Sequence, residues 1–182
     1  MRVPDLSYAE LNMDQKMVHD KIVAGVRRKV HGPFRALLHR PLLLDRVQEL
    51  GLYCRFNSGL DPRLSELAIL VMSATWGVSG EWYDHYQNAV DLGVSTDALE
   101  AVRNKRPARF DQEDEQALYD FATELNRDHV VSDETYARAV DALGAGNVMD
   151  LVGVLGYYTL ISMTLKVYQV PLPEGAKDPL AH

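Results

Sequence analysis

The feature that most constrains the fold is a segment from Leu64 to Met72 that is apolar except for Ser65 and Glu66. It follows Asp61-Pro62, a pair typical of a helix start, because aspartate caps free amides and proline suits the first helical position. Gly77 marks the predicted end of this helix. A helix that is apolar nearly all round is buried on all sides, so this one is predicted to lie at the centre of a domain.

Helical periodicity continues through most of the chain. Apolar residues recur three and four positions apart, between cap residues, glycines and prolines. No segment alternates apolar and polar residues with period two, as a half-buried strand does. The predicted fold is therefore all-α, with a short helical turn at 35–39 and helices at 12–28, 42–57, 62–76, 80–92, 95–103, 111–126, 132–143 and 147–168.

The length of 182 residues predicts a single domain with a sizeable core. Residues 1–10 are expected to form an extended arm, and residues 171–182, rich in proline, glycine and charge, a surface or disordered tail. The two long apolar helices at 64–77 and 148–168 each follow a glycine-containing break. The bundle could therefore consist of two loosely similar helical halves.

Composition argues against several functions. Asp and Glu outnumber Lys and Arg by 26 to 19, a net charge of −7 that does not suit a nucleic-acid partner. The longest apolar run, 148–168, is interrupted by Asp150 and Lys166, so no membrane span is expected. Cys54 is the only cysteine, which leaves no disulfide and no thiol pair. With no signal-peptide pattern at the N-terminus, a cytoplasmic location is expected.

Three ionisable residues are candidates for chemistry. Glu66 lies within the apolar helix, where an ionised carboxylate is costly unless it is paired. Glu81 and His85 are four residues apart and therefore share one face of the next predicted helix. A carboxylate beside an imidazole raises its pKa and fixes its orientation, as a general acid or base requires.

Spacing alone also allows a purely structural interpretation. Glu81 and His85 could form a surface pair that contributes a few tenths of a kcal/mol. Glu66 could pair with an arginine of a neighbouring helix. The two interpretations differ in burial, since an acid–base site predicts Glu66 and His85 together beside an enclosed pocket, with the second ring nitrogen facing the substrate.

Several separated motifs resemble the carboxymuconolactone decarboxylase family of the alkylhydroperoxidase-D-like superfamily. Its central signature is similar to Pro62-Arg63-Leu64-Ser65-Glu66-Leu67-Ala68-Ile69-Leu70, Glu81-Trp82-Tyr83-Asp84-His85 and Leu92-Gly93-Val94. His31-Gly32-Pro33-Phe34 resembles the glycine–proline loop before the signature. Gly156-Tyr157-Tyr158 and Val170-Pro171-Leu172-Pro173 resemble the long-chain members. The resemblance covers about residues 11–173 and implies an alkylhydroperoxidase-D-like helical bundle.

Peroxidase members of the superfamily have a glutamate, then a Cys-x-x-Cys pair, then a histidine. On this chain the glutamate is Glu66 and the histidine is His85, while the cysteine positions hold Val78 and Glu81. Neither side chain forms a thiolate, so thiol-based peroxide reduction is disfavoured. The resemblance instead implies a cofactor-independent acid–base enzyme for a small carboxylated lactone or unsaturated diacid from aromatic-compound breakdown, with decarboxylation as the first choice.

An isomerase, a lactone-opening enzyme and a non-catalytic binding or assembly member remain alternatives. The resemblance implies catalytic roles for His85, Glu66 and Glu81. Candidate substrate-binding residues are Arg35, His39, Arg63 and Trp82, although Trp82 also suits simple packing, as do Tyr157 and Tyr158. No metal site and no cofactor are predicted. The expected partners are a small anionic organic acid and further copies of the chain, in a trimer or hexamer.

Overall fold

The computed structural model describes residues 1–181. These residues form α-helices and no β-strand, so the all-α prediction is confirmed. A 3₁₀ turn at Tyr8–Glu10 precedes the first helix, and a π turn at Tyr53–Asn57 extends the third. The helices are α1 (Met13–Ala24), α2 (Pro33–Leu37), α3 (Pro41–Leu52), α4 (Pro62–Trp76), α5 (Ser79–Asp91), α6 (Thr96–Arg103), α7 (Glu113–Asp128), α8 (Asp133–Leu143) and α9 (Ala145–Tyr168).

Helix α4 is the centre of the fold, as its apolar sequence predicts. The Asp61 side chain accepts a hydrogen bond from the Arg63 amide at 2.8 Å and caps its N-terminus. Gly77 ends it in the left-handed conformation, with φ of 61°. Helix α4 packs against α5, α7 and α9, and its apolar side chains are almost fully buried on all of these sides.

The N-terminal region departs from prediction. Helix α1 ends at Ala24 rather than at residue 28, because Gly25 leaves the helical conformation and Arg28 has a φ of 61°. Helix α2 begins at Pro33, two residues before the predicted turn, since proline suits the first helical position. Within the predicted extended arm, Glu10 accepts hydrogen bonds from Ser7 and stabilises the 3₁₀ turn.

Helix α9 is longer and more apolar than the sequence expectation allowed. In length and composition it could cross a membrane, despite Asp150 and Lys166. More than half of its most apolar window, 56%, is buried inside the fold. It packs against α4, α8 and α2, as a core helix of a globular protein does.

The tail and the arm are both held against the helices. Arg103 donates a hydrogen bond to the carbonyl of Pro179 at 2.9 Å, and Leu180 packs on the core. The amide of Arg2 donates to the carbonyl of Tyr168, at the end of α9, at 2.7 Å. These contacts place tail residues 171–173 at the rim of the cavities described below.

Candidate active site

Glu66 and His85 meet across the two helices joined by Gly77 and Val78. The chain reverses at this turn, so α5 folds back along α4. The Oε2 atom of Glu66 lies 2.6 Å from Nδ1 of His85, a hydrogen-bond distance. The His85 ring is buried, with 4% of its residue surface exposed. The predicted contact between these two side chains is therefore present in the structure.

A second carboxylate lies on the opposite side of the ring. Glu81, one turn earlier on α5, places Oε2 3.5 Å from Nε2 of His85 and is itself buried. The imidazole thus has a carboxylate at each nitrogen, whereas the sequence predicted that one nitrogen would face the substrate directly. Arg55, from the π turn, brings Nη2 within 3.7 Å of the other Glu66 oxygen.

Burial and hydrogen bonding act in opposite directions on His85. Burial lowers the pKa of the imidazole, because it disfavours the charged form. The hydrogen bonds with Glu66 and Glu81 together outweigh burial, so the pKa of His85 is raised above its ordinary value. The ring therefore keeps its proton to a higher pH than an ordinary histidine, which suits a proton donor.

His85 borders an inner cavity of about 200 Å³. Its walls come from the loop after α1, from α2, the π turn, α5 and α9. The His85 ring meets Tyr158 edge-on, with centroids 5.7 Å apart, and Tyr158 meets Tyr157 in the same way. Burial raises the pKa of Tyr157 to about 12, so its hydroxyl stays protonated. The cavity is lined by Arg27, His31, Pro33, Phe34, Arg55, Glu81, Asp84, His85, Tyr157, Tyr158 and Ile161.

A wider outer cavity of about 740 Å³ adjoins the inner one. The two share His31, Pro33, Glu81 and Asp84. The tail contributes Pro171–Pro173 to the outer wall, and the basic residues there include Lys29 and Lys166. His85 lines the smaller of these two adjoining cavities and not the wider one.

Two predicted binding residues lie outside both cavities. Arg63 is bound by Asp114 at 2.6 Å and Glu115 at 2.5 Å, because the start of α4 packs on α7. His39 has its Nε2 at 2.8 Å from the carbonyl of Pro4 in the N-terminal arm. The structure therefore does not bring these two side chains to the cavities, and each is engaged elsewhere.

The other two predicted binding residues have mixed outcomes. Trp82 is 2% exposed, stacks on Tyr86 and lines neither cavity, so the alternative packing role applies. Arg35 does line the outer cavity, but its guanidinium forms an ion pair with Asp5 of the arm. It therefore lies at the rim rather than beside His85.

Sequence reasoning missed Arg27 and Arg55, which are the arginines of the inner cavity. Arg55 reaches it from a π turn, a feature frequent at functional sites but not readable from periodicity. Tyr157 and Tyr158 were assigned mainly to packing, and both line the cavity. Their signal was the Gly-Tyr-Tyr motif itself.

Neither a thiol centre nor a metal centre adjoins this site in residues 1–181. Cys54 is buried, and burial raises the pKa of its thiol above the ordinary range. No group of three or more His, Cys, Asp and Glu side chains in this range is arranged to hold a metal ion. The candidate chemistry therefore rests on the Glu66–His85–Glu81 cluster and the neighbouring arginines.

Two solved structures share the fold. An uncharacterized peroxidase-related protein from Ralstonia eutropha JMP134, described as an alkylhydroperoxidase AhpD core, has a TM-score of 0.70 at 15% identity, covering 95% of this chain and 92% of its own. A protein of unknown function from Agrobacterium tumefaciens, described as a candidate antioxidant defence protein AhpD, has a TM-score of 0.66 at 16% identity, covering 75% and 94%. The architecture is therefore alkylhydroperoxidase-D-like.

The sequence profile of the carboxymuconolactone decarboxylase family matches residues 41–124. This segment runs from the start of α3 into α7 and contains Glu66, Glu81 and His85. The chain carries this family's segment, and the resemblance predicted from its motifs is confirmed. No curated protein matches the sequence significantly.

Proposed function

We propose that this protein is a cofactor-independent acid–base enzyme that acts on a small anionic organic acid. The reaction favoured is decarboxylation of a carboxylated lactone or unsaturated diacid from aromatic-compound breakdown. One observation carries the proposal, namely that a histidine with a raised pKa lies between two carboxylates at the wall of a small cavity that also holds two arginines. The family of residues 41–124 includes such decarboxylases.

The proposed step is a proton transfer that follows loss of carbon dioxide. Cleavage of the carbon–carboxylate bond beside a conjugated carbonyl leaves its electron pair on an enolate-like carbanion. Protonated His85 supplies the proton that forms the new C–H bond from Nε2, where the substrate takes the place of the Glu81 carboxylate, and Glu66 holds Nδ1 in place. Arginine in a partly enclosed site stabilises negative charge more strongly than it does in water.

Two other functions are weaker candidates. Isomerisation or lactone opening would use the same histidine and differ only in substrate. The names of the two structures with a similar fold refer to antioxidant defence and to a peroxidase, but the single cysteine of this chain is buried and its thiol pKa is raised. A thiol peroxidase is therefore disfavoured, because the reactive form of cysteine is the thiolate.

The test is an assay of the native protein against muconolactone-like and muconate-like acids, with carbon dioxide release and deuterium uptake from D₂O as readouts. His85→Gln is expected to lower kcat/KM by about 10²–10⁴-fold, the usual contribution of general acid–base catalysis. The matched control is His129→Asn, at an exposed left-handed position that asparagine tolerates. Near-full activity of His85→Gln would reject the acid–base assignment, and binding without turnover of any acid would favour a non-catalytic binding member.

We also propose that the protein forms a homo-oligomer, a trimer or hexamer, in the cytoplasm. Large apolar side chains remain exposed on α3, on the π turn and on α9, and an interface between copies of the chain would cover them. The hydroxyl of Tyr53 donates to Asp150 at 2.6 Å, which brings these elements together. Light scattering should give a mass of at least three chains, and a monomer at micromolar concentration would contradict this proposal. The exposed residues are Leu42, Leu43, Leu50, Tyr53, Phe56, Met149, Val152 and Met163.

A further inference from the structure

Arg27 is the charged residue of the inner cavity with the most buried hydrogen-bond donors left unpaired. Its Nε and Nη2 atoms are shielded from solvent and have no hydrogen-bond partner among residues 1–181. Its guanidinium lies over the ring of Phe34, with Cζ 4.9 Å from the centroid. A cation in such a position is costly unless an anion accompanies it.

The backbone of α3 confines this guanidinium from the other side. A Cβ atom added to Gly51 would lie 2.6 Å from Nη2 of Arg27 and would collide with the hydroxyl of Tyr157. Glycine at this position therefore lets Arg27 and Tyr157 share one space beside α3. The guanidinium is held between the Phe34 ring and the α3 backbone, rather than free to search for partners.

Two of the three acidic groups nearby already have cations of their own. Glu66 contacts His85 and Arg55, and Glu81 contacts His85. Asp84 is exposed to solvent at the junction of the two cavities. No ion pair of Arg27 with a carboxylate is present in residues 1–181. Its charge therefore remains uncompensated, whereas the charges of Glu66 and Glu81 are compensated by His85 and Arg55.

His31 adds a second unsatisfied group at the same cavity. Its Nδ1 atom is buried without a hydrogen-bond partner in the described part of the chain. Burial and the nearby charge of Lys29 lower the pKa of His31, so the ring is neutral at neutral pH and offers a single N–H donor. His31 lines both cavities and therefore lies where the two adjoin.

We propose that Arg27, with His31 beside it, is a carboxylate-binding subsite of the inner cavity, which anchors the carboxylate of the substrate that the reaction retains. The location of this subsite in an active site rests on the proposed function. Arg55 is partly committed to Glu66, whereas Arg27 lines the same cavity and has no carboxylate partner in residues 1–181. A guanidinium binds a carboxylate through paired hydrogen bonds, so a planar anion satisfies it better than water does. The cavity of about 200 Å³ is smaller than the roughly 300–1,000 Å³ of sites for drug-sized ligands, so the ligand is a small acid.

The subsite can be tested by calorimetry with succinate and fumarate as probes and with succinamide as the uncharged counterpart. The native protein is expected to bind the acids and not the amide. Arg27→Met keeps the unbranched stem but removes the charge, and should weaken binding of the acids at least tenfold. Arg27→Lys should fall between the two, because it keeps the charge but loses the planar fork. Arg46→Met, whose side chain is 73% exposed, is the matched control and should bind like the native protein.

The melting temperature without ligand separates ligand binding from a structural role. Because Arg27 has no anionic partner in the fold, Arg27→Met should not lower the melting temperature, whereas removal of a structural arginine would. The subsite proposal would be overturned if Arg27→Met clearly lowered the melting temperature or bound the acids as the native protein does. It would also be overturned if the native protein bound succinamide as well as the acids, or bound no acid.

Failure of the proposed function would give a different pattern. If acid binding depends on Arg27 but no acid is ever turned over, the subsite stands and the enzyme assignment fails. If turnover depends on His85 but neither binding nor KM depends on Arg27, the enzyme assignment stands and the subsite fails.

Discussion

Helix α4 carries two charged clusters within one turn of each other, and they differ in how completely they are paired. Arg63, in the first turn, is enclosed by Asp114 and Glu115 of α7 at 2.6 and 2.5 Å. Glu66, three residues later, contacts His85 at 2.6 Å and Arg55 at 3.7 Å. Both side chains are largely buried, with 20% and 12% of their surface exposed.

The two clusters differ in their surroundings. The Arg63 cluster lines neither cavity, so its charges serve only each other. The Glu66 cluster borders the inner cavity through His85 and lies near Arg27, which has unpaired donors. Burial alone does not distinguish them. They differ because only the Glu66 cluster lies beside a cavity and near an arginine with unpaired hydrogen-bond donors.

Replacing Glu66 with alanine is expected to have the largest effect, because it damages both chemistry and stability. His85 loses its short hydrogen bond and its fixed orientation, so kcat/KM should fall at least ~100-fold. Breaking a buried pair also costs about 3 kcal/mol of unfolding free energy. Urea denaturation and steady-state kinetics on one preparation measure both. Glu174→Ala, in the exposed tail, is the control. If Glu66→Ala lost stability but not activity, the Glu66 cluster would have only a structural role, like the Arg63 cluster.

Replacing Arg63 with methionine is expected to destabilise the protein by about 3 kcal/mol and to leave kcat/KM unchanged. Glu115, 3% exposed, would lose the cation that compensates its burial. The measurement is urea denaturation together with activity normalised to folded protein. If Arg63→Met lost activity but kept native stability, Arg63 would take part in the activity, and the proposed difference between the two clusters would be wrong.

Gly51→Ala is expected to cost about 1–3 kcal/mol through overpacking, because the added methyl group meets Tyr157 and Arg27. Binding of small carboxylates should weaken as Arg27 is displaced. Gly153→Ala is the matched control, since a Cβ there meets no atom within 4 Å and alanine favours a helix. Native stability and native succinate affinity in Gly51→Ala would show that this close approach is not needed.

The fold was predictable because its signals are local. The cap, the proline and the glycine around α4 gave its bounds at 62–76 correctly, as did the apolar periodicity of its interior. The end of α1 was predicted too late, because continued apolar spacing outweighed Gly25 in the sequence argument. The π turn that follows α3 has no sequence signature of its own.

The candidate site was predictable only in part. A carboxylate in an apolar helix requires a partner, and this led to the Glu66–His85 contact that the structure contains. Arg27 and Arg55 could not be assigned, because their positions depend on contacts between distant segments, such as the approach of Tyr157 to Gly51. The pairing of Arg63 with α7 could not be predicted either, because sequence spacing does not reveal it. The roles of these residues in catalysis stay predictions.

The smallest predicted effect is a pH dependence that the Arg63 cluster, which contains no histidine, cannot produce. The folded-state pKa of His85 is raised above the ordinary 6.5, so the folded protein keeps a proton that the unfolded chain has released. The stability that His85 contributes is therefore fully present below pH 6.5 and is lost as pH rises from 6.5 through the raised value. His31 acts on the acidic side, because its lowered pKa penalises the folded state as pH falls from 6.5. Each unit of pKa shift corresponds to about 1.4 kcal/mol.

Melting temperature should thus decline above pH 6.5 in the native protein and in Arg63→Met, whereas in His85→Gln this decline should be absent. An unchanged decline in His85→Gln would mean that the imidazole between the two carboxylates does not carry the extra proton on which the proposed proton transfer depends.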